Sequence, residues 1–303
     1  MSLAVATDEG SGPLVVLLHG FPELPSSWRH QISPLTGAGW RVVVPFLRGY
    51  GDSPAPPDPE AYTSDILADD VAGLIEACGE ESAVVIGHDW GAGVTWAAAQ
   101  LRPDRVRAMV ALSVPFTARS RTPPVERLRA IFSGQFFYIV HFQEAGVADA
   151  ELAGDVRRFL TGVYASAAAG APAPAGNVTE DASYVEQFSP TSTLPPFVDV
   201  GDFAEHVATF ERTGFTGALN YYRAMDITWH KLPELGTRPI TMPVAFIAGD
   251  QDAVLSFTPM RAMGPPHLTD LRSVTMVPGA GHWVQQEAPN QVNQALLEFL
   301  GTL

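Results

Sequence analysis

One stretch of the chain, residues 84–93 (VVIGHDWGAG), constrains the fold more than any other. An aliphatic run, Val84 to Ile86, meets a turn in which Gly87 and Gly91 stand two positions on either side of Asp89. A sharp bend between a strand and a helix holds its central residue in a strained backbone conformation, so side chains two positions away must be nearly absent. The stretch therefore predicts a strand, a tight turn with Asp89 at its tip, and a helix.

The spacing around Asp89 is that of a nucleophile elbow, G-x-S-x-G, with aspartate in place of the usual serine. A carboxylate nucleophile attacks carbon by displacement and forms an alkyl ester, which water must then cleave at the ester carbonyl. This chemistry suits epoxides and alkyl halides better than esters and amides. The alternative is that Asp89 is an ordinary acidic turn residue at the end of a strand.

The charge balance limits the classes of partner. The chain of 303 residues has 18 basic and 33 acidic residues, a formal net charge of −15, which disfavours nucleic acid and anionic membrane surfaces. Cys78 is the single cysteine, so an internal disulfide is excluded. Because neither a signal peptide nor an apolar run of roughly 18 residues is visible, we expect a cytoplasmic protein. No phosphate loop, dinucleotide fingerprint or metal-ligand spacing is found, so no cofactor and no metal are expected.

Aliphatic runs alternate with helical patterns along much of the chain. Continuous apolar runs are typical of strands buried on both faces, and they predict strands at residues 14–18, 41–45, 82–87, 106–114, 243–248 and 273–277. Helical patterns are found at residues 63–78 and 94–102. The alternation predicts an α/β fold with a mostly parallel central sheet flanked by helices.

Between residues 116 and 225 the alternation stops, and helical patterns with proline and alanine clusters replace it. This predicts a helical cap domain, residues 116–225, inserted into a core domain made of residues 1–115 and 226–303. Such a cap would cover the carboxyl ends of the strands, where ligands bind in open α/β folds. Within it, residues 165–176 (ASAAAGAPAPAG) predict a low-complexity loop without chemical function.

The later strands carry the remaining catalytic candidates. Asp250 and Asp252 follow the strand at 243–248, and His282 lies among glycines after the strand at 273–277. The chain order of nucleophile, acid and histidine matches that of hydrolases with a Ser, Asp, His order. His282 would take a proton from the hydrolytic water, while Asp250 or Asp252 holds its tautomer and stabilises the imidazolium.

Two backbone N–H groups are expected to form an oxyanion hole. One belongs to Phe21, in the turn His19-Gly20-Phe21-Pro22 that ends the strand at 14–18, and the other to Trp90, directly after the nucleophile. His19 is interpreted as a hydrogen-bonded structural histidine that fixes this turn.

A family resemblance rests on seven motifs distributed over the whole chain. They are HGFP at 19–22, SWRHQ at 27–31, RGYG at 48–51, the elbow, FQE at 142–144, NYYR at 220–223 and GHW at 281–283. In order and combination the chain resembles an epoxide hydrolase of the α/β-hydrolase fold. The resemblance implies Asp252 as the orienting acid, with Asp250 as its more exposed neighbour. It also implies Tyr222 as one of two cap tyrosines that hydrogen-bond or protonate the leaving oxygen.

The sequence departs from the family pattern at one position. The second tyrosine is expected directly before Phe-Gln-Glu, where this chain has His141. An imidazole can donate to an alkoxide with a changed pH dependence, or to a leaving halide together with Trp90, so we expect a side activity on alkyl halides. The alternative is that His141 turns away and Tyr138, one helical turn earlier, supplies the second donor.

The function predicted is hydrolysis of small lipophilic epoxides to vicinal diols, with a small-molecule epoxide and water as the partners. Trp28, Tyr138, Tyr221 and Trp283 are expected to line the substrate pocket. A haloalkane dehalogenase and a non-catalytic binding protein on the same fold are the alternatives. The sequence leaves open whether the protein is a monomer or a homodimer.

Overall fold

The centre of the molecule is a seven-stranded sheet. The computed structural model describes residues 3–171, 178–190, 193–258 and 260–303, and within them the strand order is β1-β3-β2-β4-β5-β6-β7. The strands are Val5–Glu9 (β1), Leu14–Leu18 (β2), Arg41–Pro45 (β3), Ala83–His88 (β4), Val106–Leu112 (β5), Val244–Gly249 (β6) and Leu271–Val277 (β7). Only β1 pairs antiparallel, with β3, and the other neighbours pair in parallel. The predicted mostly parallel sheet is confirmed.

Helices cover both faces of the sheet. They are Arg29–Gly37 (α1), Ser64–Ala77 (α2), Trp90–Leu101 (α3), Pro124–Ile131 (α4), Tyr138–His141 (α5), Val147–Gly154 (α6), Val156–Ala167 (α7), Val200–Thr213 (α8), Thr216–Lys231 (α9), Val254–Phe257 (α10), Val284–Glu287 (α11) and Pro289–Leu300 (α12). Single 3-10 turns lie at Pro25–Trp28, Pro59–Tyr62, Val185–Gln187 and Met260–Ala262. In the described part of the chain, no helix is both long and apolar enough to cross a bilayer.

The two faces of the sheet build two separate apolar layers. Successive side chains of β2 point to opposite faces, and all five are buried. Val15 and Leu17 pack in the layer that includes α1 and α12. Val16 and Leu18 pack in the layer that includes α2, α3 and the helices between β5 and β6. Burial on both faces is the reason that these strands are recognisable as continuous aliphatic runs.

The predicted and observed elements differ mainly at their ends. The strand predicted at 106–114 ends at Leu112, because Ser113 takes a left-handed conformation with φ of 67°. The helix predicted at 94–102 begins earlier, at Trp90, directly after Asp89. The sequence does not predict β1, whose residues (VATDE) are mostly polar and exposed because it lies at the edge of the sheet.

The segment between β5 and β6 contains α4 through α9 and, among its described residues, no strand. The boundary predicted at residue 225 lies inside α9, which continues to Lys231. Of the loop predicted at 165–176, residues 165–167 belong to α7 and residues 172–176 lie outside the described residues. Several contacts join this segment to the rest of the chain, among them the Tyr221 hydroxyl donating to the Arg48 carbonyl at 2.9 Å.

The turn between β4 and α3 is closely packed against the end of β2. A methyl group on Gly91 would lie 2.6 Å from the carbonyl oxygen of His19 and in collision with that of Leu18. A methyl group on Gly87 would collide with the carbonyl of Gly91. Because all of these neighbours are backbone atoms, no side-chain rotation can relieve the collisions. The close approach brings the start of α3 beside the turn that follows β2.

We expect Gly91→Ala to lower the free energy of unfolding by roughly 2–4 kcal/mol, because the backbone of β2 or α3 must move to admit the methyl group. Gly73→Ala is the matched control, since Gly73 is a helical glycine with open space around it. This control should stabilise the fold by about 0.5–1 kcal/mol. Urea unfolding of both variants measures the difference, and equal stability of the two would contradict the packing argument.

Candidate active site

Asp89 stands at the tip of the turn between β4 and α3, with φ of 50° and ψ of −118°. Its Oδ1 accepts a hydrogen bond from the N–H of Phe21 at 2.8 Å. Its Oδ2 lies 3.6 Å from Nε2 of His282. Parallel register places Leu18 of β2 beside Gly87 of β4, so the turns after both strands meet at the same edge of the sheet. The carboxylate is held at one oxygen while the other faces the imidazole.

His282 and Asp252 form a buried pair beside Asp89. Nδ1 of His282 donates to the two carboxylate oxygens of Asp252, at 3.0 and 3.1 Å. The Asp252 side chain is fully buried and also accepts from the N–H of Val254 at 2.9 Å. Asp250, in contrast, is exposed and accepts from the N–H of Gly279. The structure thus brings Asp89, His282 and Asp252 together and leaves Asp250 outside.

The pKa of His282 is set by two opposed effects. Burial lowers it, but the charges and hydrogen bonds of Asp252 and Asp89 outweigh burial and raise the pKa well above its ordinary value of 6.5. Because the pKa of His282 is higher in the folded than in the unfolded protein, protonation of this ring stabilises the folded state. The stabilisation is fully present at pH values below the pKa of the unfolded protein, and it is lost as the pH rises through the pKa of the folded protein. With both carboxylates charged, His282 is therefore an imidazolium at neutral pH.

A second buried ion pair, not predicted from the sequence, supports the backbone of His282. The Nδ1 of His88 donates to Glu23 at 2.8 Å, and its Nε2 donates to the carbonyl of His282 at 2.8 Å. A carboxylate and a carbonyl oxygen thus hold the ring of His88 at its two nitrogens. Burial raises the pKa of Glu23, but the charge and hydrogen bond of His88 outweigh it and lower the pKa. Ser113 Oγ donates to the same carbonyl at 2.8 Å.

The only sequence signal for this pair was a glutamate directly after the turn His19-Gly20-Phe21-Pro22, in an otherwise apolar stretch. Glu23 is fully buried, and it accepts from the N–H of Gly20 at 3.3 Å and from Nε2 of Gln286 at 2.7 Å. His19 holds the same turn from the other side, because its Nε2 accepts from the N–H of Leu47 at 3.1 Å. Burial lowers the pKa of His19 to about 4, so its ring is neutral.

Two phenols share a cavity of about 490 Å³ with Asp89. They belong to Tyr138 and Tyr222, whose ring centroids lie 5.9 Å apart. The pKa of each hydroxyl is raised well above 10. Burial is the largest cause, and the negative charge of Asp89 is the next. A weaker opposing effect on Tyr222 is a hydrogen bond with Trp90. Both phenols are therefore neutral donors throughout the ordinary pH range.

His141 does not line this cavity. Its Nε2 donates to Oε2 of Glu151 at 2.6 Å, and Glu151 also accepts from the Ser183 hydroxyl at 2.6 Å. The prediction that His141 takes the second donor position is therefore wrong. The hydrogen bond to Glu151 holds His141 away from the cavity, whereas Tyr138, one helical turn earlier, lines it. Tyr138, the alternative residue, lines the cavity together with Asp89.

Three other residues predicted to line the pocket lie elsewhere. Trp28 is buried in the layer on the opposite face of the sheet, with α1 and α12. Trp283 packs against the His282 ring at 4.9 Å and donates through Nε1 to the carbonyl of Tyr164 at 3.1 Å. Tyr221 borders a smaller adjoining cavity of about 200 Å³. Their aromatic character had indicated a pocket wall, but sequence contained no information on which face of the sheet each would occupy.

The two residues predicted to form the oxyanion hole are Phe21 and Trp90. The N–H of Phe21 donates to Oδ1 of Asp89. Trp90 is the first residue of α3, so its N–H belongs to the helix end whose amides lack intrahelical partners. Within the described ranges, no group of three or more His, Cys, Asp or Glu side chains is arranged to hold a metal ion.

Comparison with known proteins places this arrangement in a family. The model of the alpha/beta hydrolase fold matches residues 13–289. Epoxide hydrolase A of Mycobacterium tuberculosis is 43% identical over 98% of this chain and 92% of its own. The chain belongs to the epoxide hydrolases of the α/β-hydrolase fold. The resemblance and the fold class predicted from the sequence are both confirmed.

Solved structures of family members superpose closely on this one. The crystal structure of epoxide hydrolase A from Mycobacterium thermoresistibile has a TM-score of 0.91 and 45% identity, covering 97% of this chain and 93% of its own. An epoxide hydrolase from an endophytic Streptomyces has a TM-score of 0.92 and 39% identity, with 97% and 90% covered. The similarity therefore extends over the sheet and over the helices inserted between β5 and β6.

We expect Asp252→Asn to lower the pKa of His282, because the variant removes the largest effect that raises it and leaves burial in place. NMR titration of the His282 ring protons measures the change. Asp250→Asn is the matched control: Asp250 is two residues away but exposed, and its loss should leave the titration unchanged. Equal titration curves in the two variants would contradict the assignment of Asp252.

Proposed function

We propose that the protein converts small lipophilic epoxides to vicinal diols through a covalent ester on Asp89. The observation that carries the proposal is the cavity in which the Asp89 carboxylate meets two neutral phenols, with the imidazole of His282 3.6 Å from that carboxylate. A carboxylate nucleophile suits attack at an alkyl carbon. The phenols supply what epoxide opening needs in addition, a proton donor for the leaving oxygen. The names of the relatives support the same reaction.

In the first step, Oδ2 of Asp89 attacks one carbon of the oxirane and the bond from that carbon to oxygen breaks. Oδ1 is already bonded to the N–H of Phe21, which orients the carboxylate. The released oxygen stays attached to the neighbouring carbon as an alkoxide. Tyr138 and Tyr222 donate to this oxygen, and one of them transfers its proton. The apolar wall of the cavity limits the entry of competing water.

In the second step, water cleaves the ester. Esterification removes the negative charge of Asp89, which is one of the causes that raise the pKa of His282. The ring can then give its proton to the phenolate left by the first step, and the neutral imidazole takes a proton from water, so that the resulting hydroxide attacks the ester carbonyl. The N–H groups of Phe21 and Trp90 hold the oxyanion, while Asp252 stabilises the imidazolium. Collapse expels the alkoxide, which takes a proton from the imidazolium and leaves as the diol. The carboxylic acid of Asp89 then returns a proton to His282, which restores the carboxylate.

The proposal keeps the predicted division into a core, residues 1–115 and 226–303, and a helical cap, residues 116–225. In this division the core supplies Asp89, Asp252 and His282, and the cap supplies both phenols. The proposed reaction needs only the epoxide and water, and the cytoplasmic location stays a prediction from the sequence.

A side activity on alkyl halides has one remaining support. His141 is engaged with Glu151 and cannot cradle a halide at the nucleophile. Trp90 lines the cavity and follows the nucleophile directly, so its indole N–H is the candidate halide donor.

A non-catalytic binding role is disfavoured because nucleophile, base and acid are all chemically competent.

Replacing Tyr138 separates the two catalytic alternatives. Tyr138→Phe should lower the rate of enzyme alkylation by styrene oxide by roughly 10²-fold, the usual effect of losing a positioned acid. Bromide release from a dibromoalkane needs no acid and should be unaffected wherever it is detectable. His141→Gln, on the same helical turn, should keep the wild-type rate with the epoxide. Full epoxide turnover by Tyr138→Phe would refute the role of this phenol.

The covalent step can be tested directly. In His282→Gln the ester should persist, so that the peptide containing Asp89 gains the mass of one epoxide after quenching. Asp89→Asn should show no gain. In heavy-oxygen water, the first turnover of excess wild-type enzyme should release unlabelled diol, because the added oxygen comes from Asp89. Labelled diol in that first turnover would refute the ester mechanism.

A further inference from the structure

The wall of the active-site cavity carries an unusual set of charges. Its lining includes one acidic side chain, Asp89, and three basic ones, Arg119, Arg127 and Arg261. The whole chain has the opposite balance, with 33 acidic and 18 basic residues. A basic excess at this one cavity therefore needs an explanation other than overall composition.

Arg119 contributes a fixed positive charge. Its guanidinium donates to the carbonyls of Leu232 at 3.0 Å and Trp229 at 2.7 Å, and it stacks over the Trp229 ring at 4.2 Å. These contacts hold the side chain rigidly in the wall. Because carbonyl oxygens do not neutralise a guanidinium, its charge acts on whatever occupies the cavity.

Arg127 and Arg261 are exposed, which places them at the mouth of the cavity. Arg127 lies on α4 between Pro124 and Leu128, which line the cavity on the same helical face. Arg261 comes from a separate element, the 3-10 turn Met260–Ala262. In the part of the chain that the structure describes, neither guanidinium forms an ion pair.

The neighbouring sequence strengthens this positive region. Residues 119–129 (RSRTPPVERLR) contain four arginines and one glutamate, a local net charge of +3 in a chain of −15. Arg121 and Arg129 are exposed and lie outside the cavity lining. The field they add falls off over roughly 8 to 10 Å at physiological salt, so it acts chiefly around the mouth.

We propose that Arg119, Arg127 and Arg261, here called the basic rim, select epoxides that carry a carboxylate at the end remote from the oxirane. Arginine binds carboxylates through two parallel hydrogen bonds, and the guanidinium groups of Arg127 and Arg261 have no carboxylate partner among the described residues. Asp89 repels an anionic group from the floor of the cavity. The two opposite charges therefore orient such a substrate with its oxirane towards the nucleophile.

The wall between the two charged ends fits an apolar spacer. Trp96, Phe116, Leu128 and Ile139 line the cavity together with the rim and Asp89. An aliphatic or aryl segment can occupy this section while both ends meet complementary groups. The inference rests on the proposed epoxide hydrolysis and adds the substrate class to it.

The test compares two substrates, a straight-chain terminal epoxide ending in a carboxylate and the primary amide of the same acid. For the wild type we expect a higher kcat/KM with the carboxylate, declining with added salt, and no salt dependence with the amide. In Arg127→Gln/Arg261→Gln the ratio of the two kcat/KM values should fall roughly tenfold, mainly through KM for the carboxylate.

Arg129→Gln is the matched control, an exposed arginine on the same helix that does not line the cavity, and it should keep the wild-type ratio. Circular dichroism of each variant checks that the fold is intact. If the amide is turned over and the carboxylate-to-amide ratio of kcat/KM is the same in the double variant and in Arg129→Gln, the role of the basic rim is refuted. The proposed function is then unaffected. No turnover of either epoxide by the wild type refutes the proposed function, and the basic rim with it.

Discussion

The close packing of the β4–α3 turn on the end of β2 is the constraint on which the rest of the site depends. With no side chain at Gly87 or Gly91, the backbone of α3 can approach Leu18 and His19. That approach brings Asp89 within 2.8 Å of the Phe21 N–H, a donor from a different strand. The carboxylate is thus oriented by backbone geometry, which rotates less freely than any side-chain partner.

The site separates charged groups from neutral donors. Three carboxylates, Asp89, Asp252 and Glu23, lie close together, and each faces an imidazole. Buried carboxylates are tolerated only when paired and hydrogen-bonded. In the proposed mechanism Asp89 is the nucleophile and Asp252 orients the base, while Glu23 acts through His88 to support the His282 backbone. The phenols come from α5 and α9, and their neutrality follows from burial next to a negative charge.

Much of the architecture could be predicted because it depends on local patterns. The strands β2 and β3 were predicted to the residue, since a run of aliphatic side chains has one stable location, a strand buried on both faces. Asp89, His282 and Asp252 lie close together because each follows a buried strand of a parallel sheet. β1 escaped prediction because an edge strand needs no apolar run.

The sequence by itself determined the elbow, the chain order of Asp89, Asp252 and His282, and the parallel sheet, because these are set by neighbours along the chain. Only the tertiary structure decided that Tyr138 and not His141 faces Asp89, that Trp28 lies on the far side of the sheet, and that Glu23 pairs with His88. Each of these depends on partners distant in sequence, such as Glu151 for His141. The direction of a side chain is decided by such partners, and a local pattern contains no information about them.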